Sequence, residues 1–128
     1  MGLGNARIAP VVAVSDMNRA RAFYEGKLGL SMKSESTLHE LAYECGDGTE
    51  LLVYHSPDHA GKATATIAYF DVDNLDLEMD RLRERGVEFE QYDQPGLKTN
   101  HRGEADLGGS RVAWFRDPDG NTYAISQG

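Results

Sequence analysis

Residues 8 to 14, IAPVVAV, form an apolar, β-branched run that predicts a buried strand. Pro10 cannot donate to a ladder, so this strand is expected at a sheet edge. Ser15 or Asp16 can then cap a helix in which Met17, Ala20, Tyr24 and Leu28 recur at helical spacing, and Gly29 provides its stop. After the helix, LSMKSEST, HELAYEC and TELLVYH read as three short strands, the last two joined through Gly46, Asp47 and Gly48.

The second half repeats this order. ATIAYFDV (65 to 72) predicts a strand, Asp73 or Asn74 can cap a helix whose Leu75, Met79 and Leu82 form one apolar stripe, and Gly86 ends it. VEFEQY (87 to 92) alternates and reads as a strand, and SRVAWFRD with NTYAISQ forms a closing hairpin around Asp117-Pro118-Asp119-Gly120. The separation of Val14 from Gly29 nearly equals that of Val72 from Gly86, which points to an internal duplication. The expected fold class is α+β: one domain over residues 1–128, built from two βαβββ modules at about 6–56 and 63–127. Their strands would make a partly open, curved eight-stranded sheet with helices outside and a concave inner face suited to a small ligand. The polar, Gly- and Pro-rich stretch 93–109 stands outside this scheme, as either a plain connection or a binding loop.

Composition narrows the partners. With 21 acidic against 13 basic side chains, the net charge of -8 repels phosphate backbones and anionic membrane surfaces, and mildly favours cationic ligands. No apolar run approaches the ~20 residues needed to cross a bilayer. The first residues lack the pattern of a secretory signal, so the expected location is the cytoplasm. Cys45, the single cysteine, rules out an internal disulfide and a thiolate metal cluster within one chain.

The stretch VSDMNRARAFYEGKLGL, followed much later by WFRDPDGNTYAIS, resembles the vicinal oxygen chelate superfamily, the group of glyoxalase I, bleomycin resistance proteins and extradiol dioxygenases. The resemblance covers almost the whole chain and implies a glyoxalase/bleomycin resistance-type fold. Its motifs mark the fold rather than an activity. In the metal-dependent members, four inward-facing strand positions hold a divalent ion with His, Gln or Glu. Counting back seven residues from Asp16 and from Asn74 places two of these positions at Ala9 and Ile67; the last strand of each half supplies Leu51 and Ala124. None can donate to a metal. Of the neighbours Ile8, Pro10, Thr66, Ala68, Glu50, Leu52, Tyr123 and Ile125, only Glu50 is a good hard-metal ligand, so neither a metal nor another cofactor is expected. The histidines are His39, His55, His59 and His101; His55 and His59 are spaced for a shared metal only on a helix, whereas HSPDH reads as a turn.

If Ala124 faces inward, so do Thr122 and Ser126, and by the same alternation Ala9, Val11, Ala13, Ala65, Ile67 and Tyr69. Leu51 and Val53 continue that surface, Trp114 and Val112 join it by resemblance, and Leu41, Tyr43 and Cys45 alternate on a strand able to form the far wall. The candidate ligand-binding residues are therefore Trp114, Tyr69, Tyr43, Val53, Thr122, Ala124, Ile67 and Leu51. Arg116, Lys98, His101 and Arg102 can bring positive charge to the mouth. An apolar trough with aromatic sides suits a flat organic molecule, since burying apolar area yields ~25 cal/mol per Å² and ring faces add stacking or cation–π attraction. No serine sits on a strand-to-helix elbow with glycines around it, and GDG and LGG are turn formers rather than phosphate cradles.

These readings lead to a metal-free protein that binds a small organic ligand, such as a drug, antibiotic or natural product. The alternative is a lyase, isomerase or epimerase using an unusual metal arrangement or acid–base catalysis by pocket tyrosines or Glu50; a third reading is a regulatory domain that merely keeps the fold. The resemblance also implies a homodimer with ligand held between chains, and no nucleic-acid or membrane partner.

Overall fold

The computed structural model describes residues 2–36, with Ser36 by its backbone, and 40–128. His39 and the adjoining ends of two expected strands lie outside the described residues. The chain runs β1 (Val11–Val14), α1 (Met17–Arg21), a π-helical turn (Ala22–Lys27), β2 (Ser31–Ser36), β3 (Glu40–Glu44), β4 (Glu50–His55), β5 (Thr66–Asp71) and α2 (Leu75–Glu84). It continues with β6 (Asp93–Gln94), β7 (Leu97–Lys98), β8 (Glu104–Leu107), β9 (Ser110–Arg116) and β10 (Thr122–Gln127). Two four-stranded sheets result, ordered β1-β4-β3-β2 and β5-β10-β9-β8, with β6 and β7 as a separate ribbon. In each sheet the first strand of a half pairs in parallel with the last, the geometry that a βαβββ duplication requires.

Local signals start and stop both helices where expected. Asp16 accepts the Arg19 amide at 3.0 Å and Asn74 the Leu77 amide at 3.1 Å. Gly29 and Gly86 take φ values of 73° and 90°, which a side-chain-bearing residue resists. A Cβ built on Gly29 would fall 2.8 Å from Arg85 Nη1, and one on Gly86 would fall 3.6 Å from Lys27 Nζ. Each helix end thus lies beneath a cation from the other half. The widening of α1 into a π turn, closed by Leu28 N to Phe23 O at 2.9 Å, lets Phe23 and Tyr24 both turn inward.

The helix-bearing faces of the two sheets share one core. Val12, Val14, Leu41, Tyr43, Leu51 and Val53 of the first sheet meet Ala113, Phe115, Tyr123 and Ile125 of the second, with Phe23, Tyr24, Leu75 and Met79 from the helical segments. The Tyr24 ring stacks on Tyr43 at 5.9 Å and meets Tyr123 edge-on at 6.0 Å, so this helical segment reaches both sheets instead of lying outside one of them. The tight turn between β9 and β10 fastens the halves. Asp117, buried, accepts from the Asp119 and Asn121 amides, Asn121 Nδ2 and the Tyr24 hydroxyl. Asn121 also donates to Ala13 O at 2.9 Å, and Asp119 accepts from the Ser15 amide at 3.0 Å.

The second half departs from expectation in one strand. Residues 87–92 make a single bridge, Phe89 to Phe115, and the fourth strand of the second sheet is β8, drawn from the stretch read as a loop. The alternation of Val87 and Phe89 reflects packing on the core rather than a ladder. β8 pairs with β9 through a two-residue turn, Gly108-Gly109, whose φ values of 65° and 96° are those of a tight hairpin. Its Glu104 is held by Arg102 and Arg111, which also reach Asp80 and Asp76 on α2. No helix among the described residues is long and apolar enough to cross a membrane.

Candidate ligand site

Strand alternation divides the second sheet cleanly. Tyr123 and Ile125 of β10 and Ala113 and Phe115 of β9 enter the core, which turns Thr122, Ala124, Ser126, Val112 and Trp114 to the other face. Cross-strand register sets Tyr69, Ala124 and Trp114 in one row, and Asp71, Ser126, Val112 and Ala105 in the next. A depression of about 430 Å³ opens on this face, with Trp114, Tyr69, Val112 and Ala124 as apolar lining and Thr66, Ser110, Ser126 and Asp71 as polar lining. Tyr69 is 67% exposed. Among the described residues the Asp71 carboxylate has neither a hydrogen-bond nor an ion-pair partner, while Asp76, Asp80, Glu90 and Glu104 are all matched by arginines.

The ribbon bounds this surface. Tyr92 and Leu97 pack against Ala105, Val112, Trp114 and Ala124, and the Tyr92 ring meets the Trp114 indole edge-on, centroids 5.5 Å apart at 80°. Burial there pushes the Tyr92 phenol up from its usual pKa, the Glu90 charge adding to the effect.

Three of the expected ligand-binding residues, Trp114, Tyr69 and Ala124, come together in the depression. Thr122 lies on the same face one row along, beside Thr66 and Arg116, buried and outside the lining. The other four lie outside the depression. Leu51, Val53 and Tyr43 point into the shared core, because β4 pairs Val53 with Val12 and Leu52 with Val11, placing Leu51 and Val53 on the helix side. The Tyr43 hydroxyl donates to Glu25 Oε2 at 2.9 Å. Ile67 is the extra residue of a β-bulge, since the register passes from Thr66 opposite Thr122 to Ala68 opposite Tyr123, and it packs half-buried on the core. Leu41 is buried in the core as well, and Cys45 packs against it half-buried. A crevice of about 670 Å³ beside the depression includes Leu51 and Phe70 in its lining and shares Tyr69 and Asp71 with it.

The basic residues expected at the mouth are engaged elsewhere or stand apart from it. Arg116 pairs with Glu90 at 2.9 Å, Lys98 with Asp93 at 3.7 Å, and Arg102 with Asp80 and Glu104. None of these three, nor His101, lines the depression. Asp71, Thr66 and Ser110 are not among the ligand-binding residues expected from sequence; Asp71 follows from Tyr69 by period two, whereas Tyr92 ends a stretch that reads as a plain strand and Leu97 has no signal beyond a loop of unusual length.

The donor set of the superfamily's metal position does not fit an ion. Register puts Glu50 beside Ala9 in place of Leu51, and the bulge puts Thr66 in place of Ile67, so the four positions become Ala9, Glu50, Thr66 and Ala124. Two methyl groups and a hydroxyl offer little to a divalent cation. Glu50 is held by Lys33 at 2.6 Å, and the hydrogen bond from that ammonium keeps its carboxyl below the ordinary range. Among the described residues no three His, Cys, Asp or Glu side chains converge on a point. His59 bonds Ser56 at 2.8 Å inside the expected turn, and His55 Nε2 lies 3.2 Å from Ser15 O.

Solved structures share this architecture. An antibiotic binding protein from Streptomyces sp. CB03234 is 26% identical with a TM-score of 0.73, the match covering 99% of this chain and 98% of that one. A glyoxalase / bleomycin resistance protein from Catenulispora acidiphila DSM 44928 is 25% identical with a TM-score of 0.74, covering 97% and 99%. A lactoylglutathione lyase from Agrobacterium tumefaciens, 20% identical with a TM-score of 0.70 over 97% and 94%, shares the fold. No curated protein matches the chain. A family model spans residues 7–125, and with it the chain belongs to the Glyoxalase/Bleomycin resistance protein/Dioxygenase superfamily.

Proposed function

We propose that this chain is a small-molecule-binding protein that holds a flat, largely apolar organic ligand, such as an antibiotic or other natural product, against Trp114 and Tyr69 without a metal ion. The observation that carries this reading is the depression itself: an indole, an exposed phenol and three hydroxyls surround Ala124, where metal-dependent relatives place a carboxylate. Carbon in place of donor atoms suits sequestration and leaves no Lewis acid to activate a bound guest. The likeness to an antibiotic binding protein supports the same direction.

The depression is open on one side, and the outward face of the first sheet offers the matching cover. Val11 there is 55% exposed, with Leu52 and Tyr54 half-buried beside it on the same face, an apolar surface that a second copy can cover. A homodimer in which this face of one copy closes over the depression of another would remove both from water. The partners are then a small organic ligand and a second copy, in the cytoplasm, where a lone thiol such as Cys45 stays reduced.

Titration with planar aromatic compounds, read by quenching of the single tryptophan Trp114 and by equilibrium dialysis, tests the proposal. Trp114→Ala should weaken binding by about 2 kcal/mol, roughly 30-fold. Unchanged affinity in that variant, or one tightly held divalent ion per purified chain, would remove the reading.

A further inference from the structure

The depression and the ribbon share one strip of the second sheet. Strands lie about 4.8 Å apart, so the open part from β5 to β9 spans roughly 10 Å and the whole strip to β8 roughly 14 Å. Tyr92 and Leu97 occupy the difference, seated over Ala105 and against the far side of Trp114 and Val112. The ribbon closes on itself at its root, where Thr99 N donates to Tyr92 O at 2.9 Å and Tyr92 N to Thr99 Oγ1 at 2.8 Å, and the Tyr92 phenol also interacts with Arg116 of β9. Its own ladder, Asp93 with Lys98 and Gln94 with Leu97, joins neither sheet.

We propose that Tyr92 and Leu97 are the specificity-determining end wall of the site, limiting the length of ligand it accepts. This rests on the depression being the ligand site. A ligand that fits the open part meets Trp114 with the ribbon in place. One that is longer by a fused ring must displace Leu97 and Tyr92 from Ala105, losing their apolar contacts and the edge-to-face pair with Trp114. The root bonds define the pivot. Beneath the ribbon, Ala105 is buried and small, so removing the wall extends the strip.

Acridine and benz[b]acridine, both uncharged above neutral pH and differing by one fused ring, are the probes. Binding to wild type, Leu97→Ala and Tyr92→Ala is measured by equilibrium dialysis, with Trp114 quenching as a second readout. Wild type should bind acridine about fivefold more tightly than its longer relative. Both variants should erase most of that ratio while moving acridine less than about twofold, since truncating the wall changes space rather than the contacts acridine makes. Leu97 is half-buried on a ribbon outside both sheets, so its truncation leaves the core intact. A ratio unchanged in both variants, or equal gains for both compounds, would overturn the wall while leaving the site. Failure of wild type to bind either compound would remove the site, and the wall with it.

Discussion

The Tyr24 hydroxyl lies 2.7 Å from Oδ2 of Asp117, a buried bond between the helical segment of the first half and the closing turn of the second. Tyr24→Phe leaves Asp117 one donor short in the interior. The variant should lose about 1–2 kcal/mol of stability, seen as a lower urea midpoint with an unchanged slope.

The same tyrosine makes stability sensitive to alkali. Burial first, then the neighbouring Tyr123 and Asp117, hold the Tyr24 phenol far above the ordinary tyrosine range, and burial raises Tyr123 as well. A folded-state pKa above the unfolded value of about 10 contributes stability that is complete below that pH and lost as pH rises through it. Above about pH 10, wild type should lose roughly 1.4 kcal/mol per pH unit from Tyr24 alone, a slope that Tyr24→Phe should reduce in urea titrations at stepped pH.

Two glycines with similar backbone angles should respond very differently to alanine. Gly61 has φ +67°, and a Cβ there would fall 1.9 Å from the Asp119 carbonyl oxygen; Gly108 has φ +65° with nothing within 4 Å. Gly108→Ala should cost about 1 kcal/mol, from the left-handed backbone alone. Gly61→Ala adds a collision with the fastening turn and should cost about 3 kcal/mol or more in thermal or urea unfolding.

The Asp71 carboxylate has no ion-pair partner among the described residues and stands beside an exposed tyrosine, which favours a ligand with a protonated amine. Asp71→Asn should weaken 9-aminoacridine about three- to fivefold at low salt, in line with an exposed charge pair, and leave uncharged acridine within about twofold. Equal loss for both compounds would show that the carboxylate acts on shape rather than on charge.

The outward face of the first sheet offers a separate test. Val11→Glu places a carboxylate on a surface proposed to be covered, so light scattering should report a shift toward monomer, with an unchanged far-ultraviolet spectrum and weaker ligand binding. A monomeric wild type at micromolar concentration would count against the closed arrangement.

Much of this architecture could be read residue by residue, because its signals are local. The caps at Asp16 and Asn74, the stops at Gly29 and Gly86, and the turn at Asp117 to Gly120 each depend on a few adjacent side chains. The site was legible where the family resemblance fixes a face and alternation carries it along the strand, as with Trp114, Ala124 and Tyr69. On β4 both faces are apolar, Leu51 and Val53 on one and Leu52 and Tyr54 on the other, so period two cannot say which side the helix covers. At Ile67 one extra residue breaks the count from Asn74, an irregularity with no composition of its own. β8 was hidden for a different reason. Its Gly-Gly hairpin was present, but the more regular alternation at 87–92 competed for the same edge, where the tight turn and a four-pair ladder with β9 hold β8.

Lys27 resting over Gly86, and Arg85 over Gly29, make each half the custodian of the other's helix terminus. The two halves are therefore an interlocked pair rather than two beads on a string. Fragments divided within the stretch between β4 and β5 should fail to fold singly and recover structure only when mixed, and any drift in one half at these contacts will be tolerated only if its twin drifts to match.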